Sequence, residues 1–235
     1  MFCIYLSQVR SILVFAGICL VVLTIVLARQ GRLGRLTLLV GSAGAIALTT
    51  FTWAVSIGGD ATFERIVSLF SDRPDAVYYQ NRGLFLEHTI DFLLPKYPLG
   101  AGLGRWGTMN LYFGDNSNPF TQAIYVEIQW TGWLLDGGVP LILAYCLALY
   151  LACRTAWAIA TQRHLGDFSL WGGLILAYNV GALAITFNYP LFISQGGMEF
   201  WLLNAVLFAA ARQIPPPMPP PPQWIPLYIH APKPD

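Results

Sequence analysis

Charged side chains are scarce in this chain. Only 11% of its 235 residues are charged, whereas 56% are hydrophobic. Soluble domains carry about 25% charged residues, so this composition excludes an ordinary soluble protein. The chain is predicted to be an integral membrane protein, and no nucleic-acid partner is expected.

Metal-binding and disulfide patterns are also missing. The four cysteines lie in apolar segments, and the sequence has neither a CxxC motif nor a histidine beside a cysteine. Cys146 and Cys153 share one face of a predicted helix but are too far apart to bond. No internal repeat is visible. We expect no metal and no cofactor. The cysteines are Cys3, Cys19, Cys146 and Cys153.

Five apolar runs predict membrane-spanning helices. The first is a span rather than a signal peptide, because it is long and its flanking arginines follow it. The fourth run can end either at Asn188 or near Gly196, since helix-breaking residues occur at both places. The runs cover about residues 11–28, 36–57, 137–153, 168–187 and 191–211.

The predicted fold class is all-α, a polytopic transmembrane helical bundle. Residues 1–212 form the membrane domain, with a large outer loop at 58–136 that contains short amphipathic helices. The basic loop Arg29–Arg35 is expected in the cytoplasm by the positive-inside rule, which places the N-terminus and the large loop outside. An odd number of spans starting at Met1 suggests the latter part of a longer protein.

The proline-rich segment at the C-terminus is predicted to be a disordered cytoplasmic tail. It covers residues 213–235 and holds ten of the sixteen prolines, a composition that no helix survives. A PxxP ligand is the alternative interpretation of this segment.

One helix in the outer loop has a cation on the wrong side. The pattern predicts a helix from about Tyr79 to Leu94, with Arg82 on the apolar face. A charge aimed at packed or lipid-adjacent surface needs an anionic partner, and we interpret that partner as a ligand phosphate. Alternatively, Arg82 bends to water at a helix start frayed by Gly83. The polar face holds Gln80, Asn81, Glu87, His88 and Asp91, and the other face holds Phe85, Leu86, Thr89 and Leu93.

A glycine-rich stretch, PLGAGLGRWG, follows this helix. Gly102, Gly104 and Gly107 spell GxGxxG, but the context lacks the βαβ unit that a dinucleotide site requires. The permissive backbone can bring N–H groups close to a ligand, with Arg105 and Trp106 as a phosphate and sugar platform. The alternative is a loop folded against the membrane surface with Trp106 as its interface anchor.

Three acidic residues lie near predicted helix ends, and two of them, Glu127 and Glu199, are candidates for a role in the site. Glu127 can serve as a base if partial burial makes it basic enough, or it is an ordinary interfacial carboxylate. Asp136 lies near a helix N-terminus, where a negative charge is favourable. Glu199 lies in or just above the outer part of the last span, where ionisable groups are usually functional.

The order of these motifs resembles the C-terminal half of the O-antigen ligase and O-antigen polymerase family, from roughly Met1 to Tyr150. The matching features are Arg10 in LSQVRS, Arg82, PLGAGLGRWG and YVEIQWTGWLLDGGVPLILAY. The resemblance implies a glycosyltransferase of the bacterial inner membrane that builds surface polysaccharide or lipopolysaccharide. Its implied partners are membrane lipids, a glycan on a polyprenyl diphosphate carrier, and a saccharide or lipid acceptor. It also implies that Arg10 and Arg82 bind phosphate.

One position departs from the family pattern. The ligases carry a His-Asn pair before an acidic residue and a glycine at the next span, and here Glu127 stands at that place. The departure bears on ligase activity more than on the fold. Guanidinium groups can hold a leaving diphosphate without a metal, and Glu127 or His88 can take the acceptor proton. A lipid-linked saccharide transporter and a non-catalytic assembly subunit are the alternatives.

Overall fold

The computed structural model describes residues 10–71, 78–107, 110, 124 and 126–214. This part of the chain is helical, and no strand occurs in it beyond one isolated bridge between Trp106 and Ile124. Three of its helices are long and apolar enough to cross a membrane. The predicted all-α class is therefore confirmed for the described residues, and the three apolar helices are consistent with a helical membrane protein. Nearly all of the predicted proline-rich tail lies outside the described residues.

Short connections join several of the helices: residues 31–32 and 162–167 at one end of the bundle, and residues 186–194 at the other. A 3₁₀ turn, Arg163–Leu165, precedes the helix Phe168–Ile185, and another, Leu191–Ile193, precedes the helix Gln195–Arg212. Helix α3 consists of four consecutive segments, Tyr79–Gly83, Leu84–His88, Thr89–Leu93 and Leu94–Lys96. The other helices are α1 (Arg10–Gln30), α2 (Leu33–Ser71), α4 (Gln129–Thr161), α5 (Phe168–Ile185) and α6 (Gln195–Arg212).

Three of the predicted spans overlap the helices that can cross a membrane, although α4 runs well beyond the predicted span 137–153 at both ends. These helices are Leu33–Ile57 within α2, α4 and α5. The runs at 11–28 and 191–211 also fold into helices, α1 and α6, and the part Val14–Gln30 of α1 is itself an apolar helix. In α6 the polar side chains that reduce the mean hydropathy are Gln195, Glu199, Asn204 and Arg212.

Glycines interrupt the two longest helices where the apolar runs begin or end. Gly59 (φ 62°) bends α2 just after the end of the predicted span. Gly137 and Gly138 (φ 64°) bend α4 at the predicted start of the third span, and Pro140 follows. Two turns of helix, beginning at Gln129, therefore precede the apolar part of α4.

The fourth span ends at the first of its two possible breaks. Helix α5 stops at Ile185, and α6 begins only at Gln195. The hydroxyl of Ser194 caps α6 by accepting a hydrogen bond from the Gly196 N–H at 3.3 Å. Residues 186–194 thus form a compact turn between the two helices.

Helix α5 is the centre of the bundle and contacts α1, α4 and α6. Its glycines permit close approach: Gly172 lies against the Ala160 backbone, Gly173 against Val26, and Gly181 against Phe15. Because Phe15 pairs with Gly181 and Val26 pairs with Gly173, α1 and α5 are antiparallel. Helix α2 is peripheral, with only 6% of Leu33–Ile57 buried.

The charged contacts lie near the two ends of the bundle, whereas the buried amides of Asn179 and Asn204 bond to each other between α5 and α6. At one end, which we call the basic end (residues 29–35 and 163–167), Arg32 donates to the Gly166 carbonyl at 2.6 Å and Arg35 to Asp167 at 2.9 Å. The other, called the α3 end, contains α3, the start of α4 and the turn at 186–190. The antiparallel pairing puts Arg10, the first residue of α1, at the α3 end.

Candidate functional site

Helix α3 alternates between π-helical and α-helical hydrogen bonding. The segments Tyr79–Gly83 and Thr89–Leu93 are π-helical, a distortion that is frequent at functional sites. The predicted division into two faces is confirmed where side chains are described. Thr89 and Leu93 are buried, Arg82, Phe85 and Leu86 are half-buried, and Glu87, His88 and Asp91 are exposed.

Two hydrogen bonds fasten α3 to the bundle. The hydroxyls of Thr89 and Thr131 lie 2.6 Å apart, which ties α3 to the first turn of α4. The Tyr78 hydroxyl donates to the Phe187 carbonyl at 3.2 Å, which ties the start of α3 to the turn after α5. The helix that carries Arg82 is therefore held between two parts of the membrane bundle.

Arg82 forms an ion pair with Glu127. Its Nε also donates to the side-chain oxygen of Asn188 at 3.3 Å. The Arg82 and Glu127 side chains are 30% and 21% exposed, so both are partly desolvated. The sequence predicts an anionic partner for Arg82, and in this conformation the partner is a carboxylate of the chain itself. The alternative, Arg82 bending to water, does not describe the structure.

The position of Glu127 is fixed by its neighbours in the chain. Ile128 is buried and extended, and Gln129, which starts α4, is also buried. The Gln129 N–H donates to the Thr186 carbonyl at 2.9 Å, and its side-chain oxygen accepts from the Phe192 N–H at 2.8 Å. These contacts join the start of α4 to the turn at 186–194. Glu127 and Asn188 are thereby brought to Arg82 from two different segments.

Sequence reasoning missed Asn188, Gln129 and Thr131. Asn188 is noticeable in the sequence only as part of a helix break, because its partner is 106 residues away. Gln129 and Thr131 are polar residues next to an apolar run. That position was the one feature of the sequence that could have indicated a buried hydrogen-bonding role. Both are about 98% or more buried, which marks them as parts of the internal hydrogen-bond network.

The glycine-rich loop is docked on the bend of α4. The N–H groups of Ala101 and Gly102 donate to the Leu135 carbonyl at 2.6 and 3.1 Å, and the Val139 N–H donates to the Pro98 carbonyl at 2.9 Å. Gly102 and Gly104 adopt positive φ, as the permissive backbone suggests. However, the Gly102 N–H is already used within the protein, which corrects the expectation that it is presented to a ligand.

Trp106 has a different place from either one that the sequence suggests. It is only 2% exposed, and its indole donates to the Asp136 carboxylate at 2.8 Å. Gly132 lies directly beneath the ring, so close that a Cβ there would be 2.3 Å from a ring carbon. Neither a sugar platform nor a membrane-interface anchor fits a ring that is covered by protein. Trp106 instead packs with Leu135 and holds the loop to α4.

Asp136 and Arg105 flank this anchored tryptophan. Asp136 is the last residue before the bend of α4, so it precedes the segment that restarts after Gly138. The sequence predicts Asp136 near the N-terminus of the next helix, but α4 already begins at Gln129, and the partner of the carboxylate is the Trp106 indole. Arg105 is half-buried, and its carbonyl accepts from the Ile124 N–H at 2.9 Å. Its backbone is thus fixed at the edge of the loop.

The remaining predicted site residues are distributed around the α3 end. His88 is exposed, stacks on Phe92 with ring centroids 5.1 Å apart, and belongs to the face of α3 opposite Arg82. Glu199 is exposed near the start of α6 and accepts from the Gln195 amide at 2.8 Å. Arg10 starts α1 at this end of the bundle, although its side chain is outside the described residues.

Comparison of the chain with protein-family models, with curated proteins and with solved structures finds no match. The family resemblance thus rests on the short motifs quoted above. Among the side chains that the structure describes, no three histidine, cysteine, aspartate or glutamate residues form a group that could hold a metal ion. The geometry of Arg82, Glu127 and Asn188 is what the structure adds to those motifs.

Proposed function

We propose that the protein is a membrane glycosyltransferase of the O-antigen ligase and polymerase type. It transfers a glycan from a polyprenyl diphosphate to a sugar hydroxyl at the outer face of the bacterial inner membrane. The observation that carries the proposal is the contact between Arg82 and Glu127 at one end of a helical membrane bundle. A phosphate-binding cation and a possible proton acceptor meet there from separate segments.

The proposed role of Arg82 is to hold the diphosphate. A guanidinium can make two parallel hydrogen bonds to phosphate oxygens, and it remains charged at every physiological pH. Asn188 supports this role because its contact with Nε orients the guanidinium plane. Arg10, at the same end of the bundle, and Arg105, at the edge of the glycine-rich loop, are the further cations of the proposed site.

Glu127 is the proposed base. The acceptor hydroxyl oxygen attacks the anomeric carbon of the donor, and its proton passes to Glu127. The bond between that carbon and the diphosphate oxygen breaks, and the negative charge leaves on the diphosphate, where Arg82 stabilises it. His88 is less favoured than Glu127, because it belongs to the opposite face of α3.

Donor binding and release of the base are coupled in this proposal. Pairing with Arg82 makes Glu127 a weaker proton acceptor, so in this mechanism the pair opens first. A diphosphate carries more negative charge than a carboxylate and can replace Glu127 on the guanidinium. The carboxylate is then left close to the sugar end of the bound donor.

The proposed topology has five spans, with the α3 end outside. Arg32 lies between α1 and α2, and Arg35 lies at the start of α2. At the basic end they contact Gly166 and Asp167, which lie between α4 and α5. The common position of these two connections supports an alternating path of the helices, and their arginines favour the cytoplasmic side. The glycine-rich loop and α3 then face the compartment where the lipid-linked glycan is used.

A transporter of lipid-linked saccharide is the second candidate function. The same ion pair favours it in one respect, because a carboxylate engaged by Arg82 is not poised as a base. In a transporter the anionic carrier would displace Glu127 without any bond being broken. A non-catalytic assembly subunit would likewise bind but not react.

Product release separates these functions. The full chain is purified, reconstituted in vesicles and incubated with a labelled polyprenyl-diphosphate glycan and a sugar acceptor. The proposal predicts free polyprenyl diphosphate with wild-type protein and none with Arg82→Ala, while Arg35→Ala at the basic end retains activity. Movement of label across the membrane without release would support the transporter, and full activity of Arg82→Ala would exclude the proposed role of Arg82.

The assembly subunit makes its own prediction. The double substitution Glu127→Gln and His88→Ala removes both possible bases of the proposed site. If the protein only assists assembly, glycan length and attachment in cells remain unchanged. If it is the transferase, attachment is lost while the variant remains in the membrane at the wild-type level.

A further inference from the structure

Two leucines of the glycine-rich loop are unusually exposed. Leu99 and Leu103 are 78% and 85% exposed, more than any other large hydrophobic side chain in the described part of the chain. Single exposed leucines are ordinary on protein surfaces. A pair at the tip of one short loop, in a protein with membrane-spanning helices, calls for a specific environment.

The position of this tip is fixed relative to the membrane-spanning part of α4. The Pro98 carbonyl accepts from the Val139 N–H at 2.9 Å, and Ala101 and Gly102 both donate to Leu135. Gly138 meets the loop so closely that a Cβ there would be 2.6 Å from the Leu99 Cα. The leucine tip therefore stands where the apolar run of α4 begins.

The tip lies beside the start of an exposed apolar stripe of α4. After the bend, α4 exposes large hydrophobic side chains at spacings of three or four residues, which is one face of a helix. Because α4 is long and apolar enough to span a membrane, this face is suited to contact lipid. The backbone of the loop meets the first residue of the stripe, because the Pro98 carbonyl, next to Leu99, accepts from the Val139 N–H. The stripe comprises Val139, Leu143, Leu147 and Tyr150.

A cation and aromatic rings precede the tip. The Lys96 ammonium lies 5.7 Å from the centroid of the Phe92 ring and 5.2 Å from that of Tyr97. Aromatic residues and lysine are enriched at the level of lipid headgroups, where the ammonium can meet phosphate while the apolar atoms stay in the lipid. Lysine, aromatic rings and leucines that follow one another within a few residues are the residue types suited to the boundary between headgroups and hydrocarbon.

We propose that Leu99 and Leu103 insert into the lipid leaflet at the α3 end of the bundle, with Lys96 at the headgroup phosphates. The occupant of this surface is the lipid of the membrane that α4 crosses, and not a second copy of the chain or another protein. The insertion holds α3, which leads directly into the loop, at the height of the headgroups. The inference depends on the membrane position of α4 and not on the proposed glycosyl transfer.

Spin-label depth measurements test the insertion. A nitroxide is attached to Leu103→Cys in a full-length chain without its native cysteines, reconstituted in phosphatidylethanolamine and phosphatidylglycerol vesicles. Leu143→Cys is the lipid control and His164→Cys, exposed at the basic end, is the aqueous control. Relative accessibility to oxygen and to a water-soluble nickel complex is measured at each site. Leu99→Cys repeats the test at a second position, and the unfolding temperature of each labelled protein confirms the fold.

The proposal predicts that labels at 103 and 99 resemble the label at 143, with high oxygen and low nickel accessibility. Accessibility equal to that at 164 would overturn it, because the tip would then be in water. Spin–spin broadening between labels on two molecules, lost on dilution with unlabelled protein, would also overturn it by identifying a second copy as the occupant.

Discussion

A guanidinium at the edge of a membrane bundle can be compensated by water, by a carboxylate of the chain or by an anionic ligand. Arg82 has the second of these partners, Glu127, and an amide oxygen from Asn188 completes its surroundings. An internal carboxylate is a weaker partner for a guanidinium than a diphosphate is, since it carries less charge. The pair therefore both stabilises the unliganded protein and reserves the site for a stronger anion.

Breaking this pair is expected to destabilise the protein. Arg82→Ala or Glu127→Gln alone leaves a partly desolvated group without its partner and should cost about 1–3 kcal/mol. The double variant should cost less than the sum of the two, and chemical unfolding in detergent measures all three. The matched control is the exposed pair Arg35–Asp167, whose side chains are 48% and 79% exposed. Its removal should cost roughly 0–1 kcal/mol. Additive costs for Arg82 and Glu127 would contradict a direct interaction.

The sequence predicts that Arg82 needs an anion but not which one. Periodicity places Arg82 on the apolar face of α3. Because an unpaired charge there is costly, the sequence predicts an anionic partner. Glu127 and Asn188 are reached only through the tertiary fold, because both lie far along the chain from Arg82. The role of Trp106 could not be predicted either. Its interpretation as an interface residue took no account of the indole hydrogen bond to Asp136, which forms only in the folded chain.

At the scale of elements, hydropathy predicts the helices but not their full length, because α2 and α4 both run into the predicted loop 58–136. The apolar runs mark the helices, and the bends of α2 and α4 fall at Gly59 and at Gly137–Gly138. The docking of the glycine-rich loop on α4 could not be predicted, since it depends on backbone hydrogen bonds that carry no sequence signature. The π-helical turns of α3 likewise follow from its packing and not from its composition.

The close contact at Gly138 makes a prediction about the loop. Gly138→Ala places a Cβ 2.2 Å from the Pro98 carbonyl oxygen, which is far closer than the two atoms can approach. The residue also has a φ of 64°, which disfavours any side chain. The loop should detach from α4, and trypsin should then cleave after Arg105, which is half-buried in the native protein.

Gly104→Ala is the matched control. Gly104 also has positive φ, but a Cβ there meets no atom within 4 Å. Its cost should be limited to the backbone strain of about 1–2 kcal/mol, and the site after Arg105 should remain protected. Equal cleavage of the two variants would show that the contact with Pro98 is not what holds the loop.

For the whole molecule, the charged contacts lie near two ends of the bundle, and a buried amide pair, Asn179–Asn204, joins α5 to α6 between those ends. Helix α5 forms the centre, while α2 is largely exposed and contributes little to the core. The alternation of helix directions agrees with the predicted order of spans. The arginines of the short connections favour the cytoplasmic side for the basic end, which puts the α3 end outside in the proposed topology.

Cysteine labelling in intact cells tests that orientation. In a chain without its native cysteines, Asp91→Cys on the exposed face of α3 should react with a membrane-impermeant maleimide from outside. His164→Cys at the basic end should react only after the membrane is permeabilised. Both side chains are exposed, so access to solvent within the protein does not distinguish them. The reverse pattern would invert the proposed topology.

Binding of a polyprenyl diphosphate to purified protein in lipid nanodiscs tests the central claim most directly, with the uncharged polyprenol as the control ligand. Arg82→Ala should weaken binding of the diphosphate by roughly tenfold or more, since a charge-assisted hydrogen bond contributes about 1.5–3 kcal/mol. Glu127→Gln should tighten it, because the internal competitor for Arg82 is gone, and neither change should affect polyprenol. Unchanged diphosphate binding by Arg82→Ala, or weaker binding by Glu127→Gln, would contradict the account.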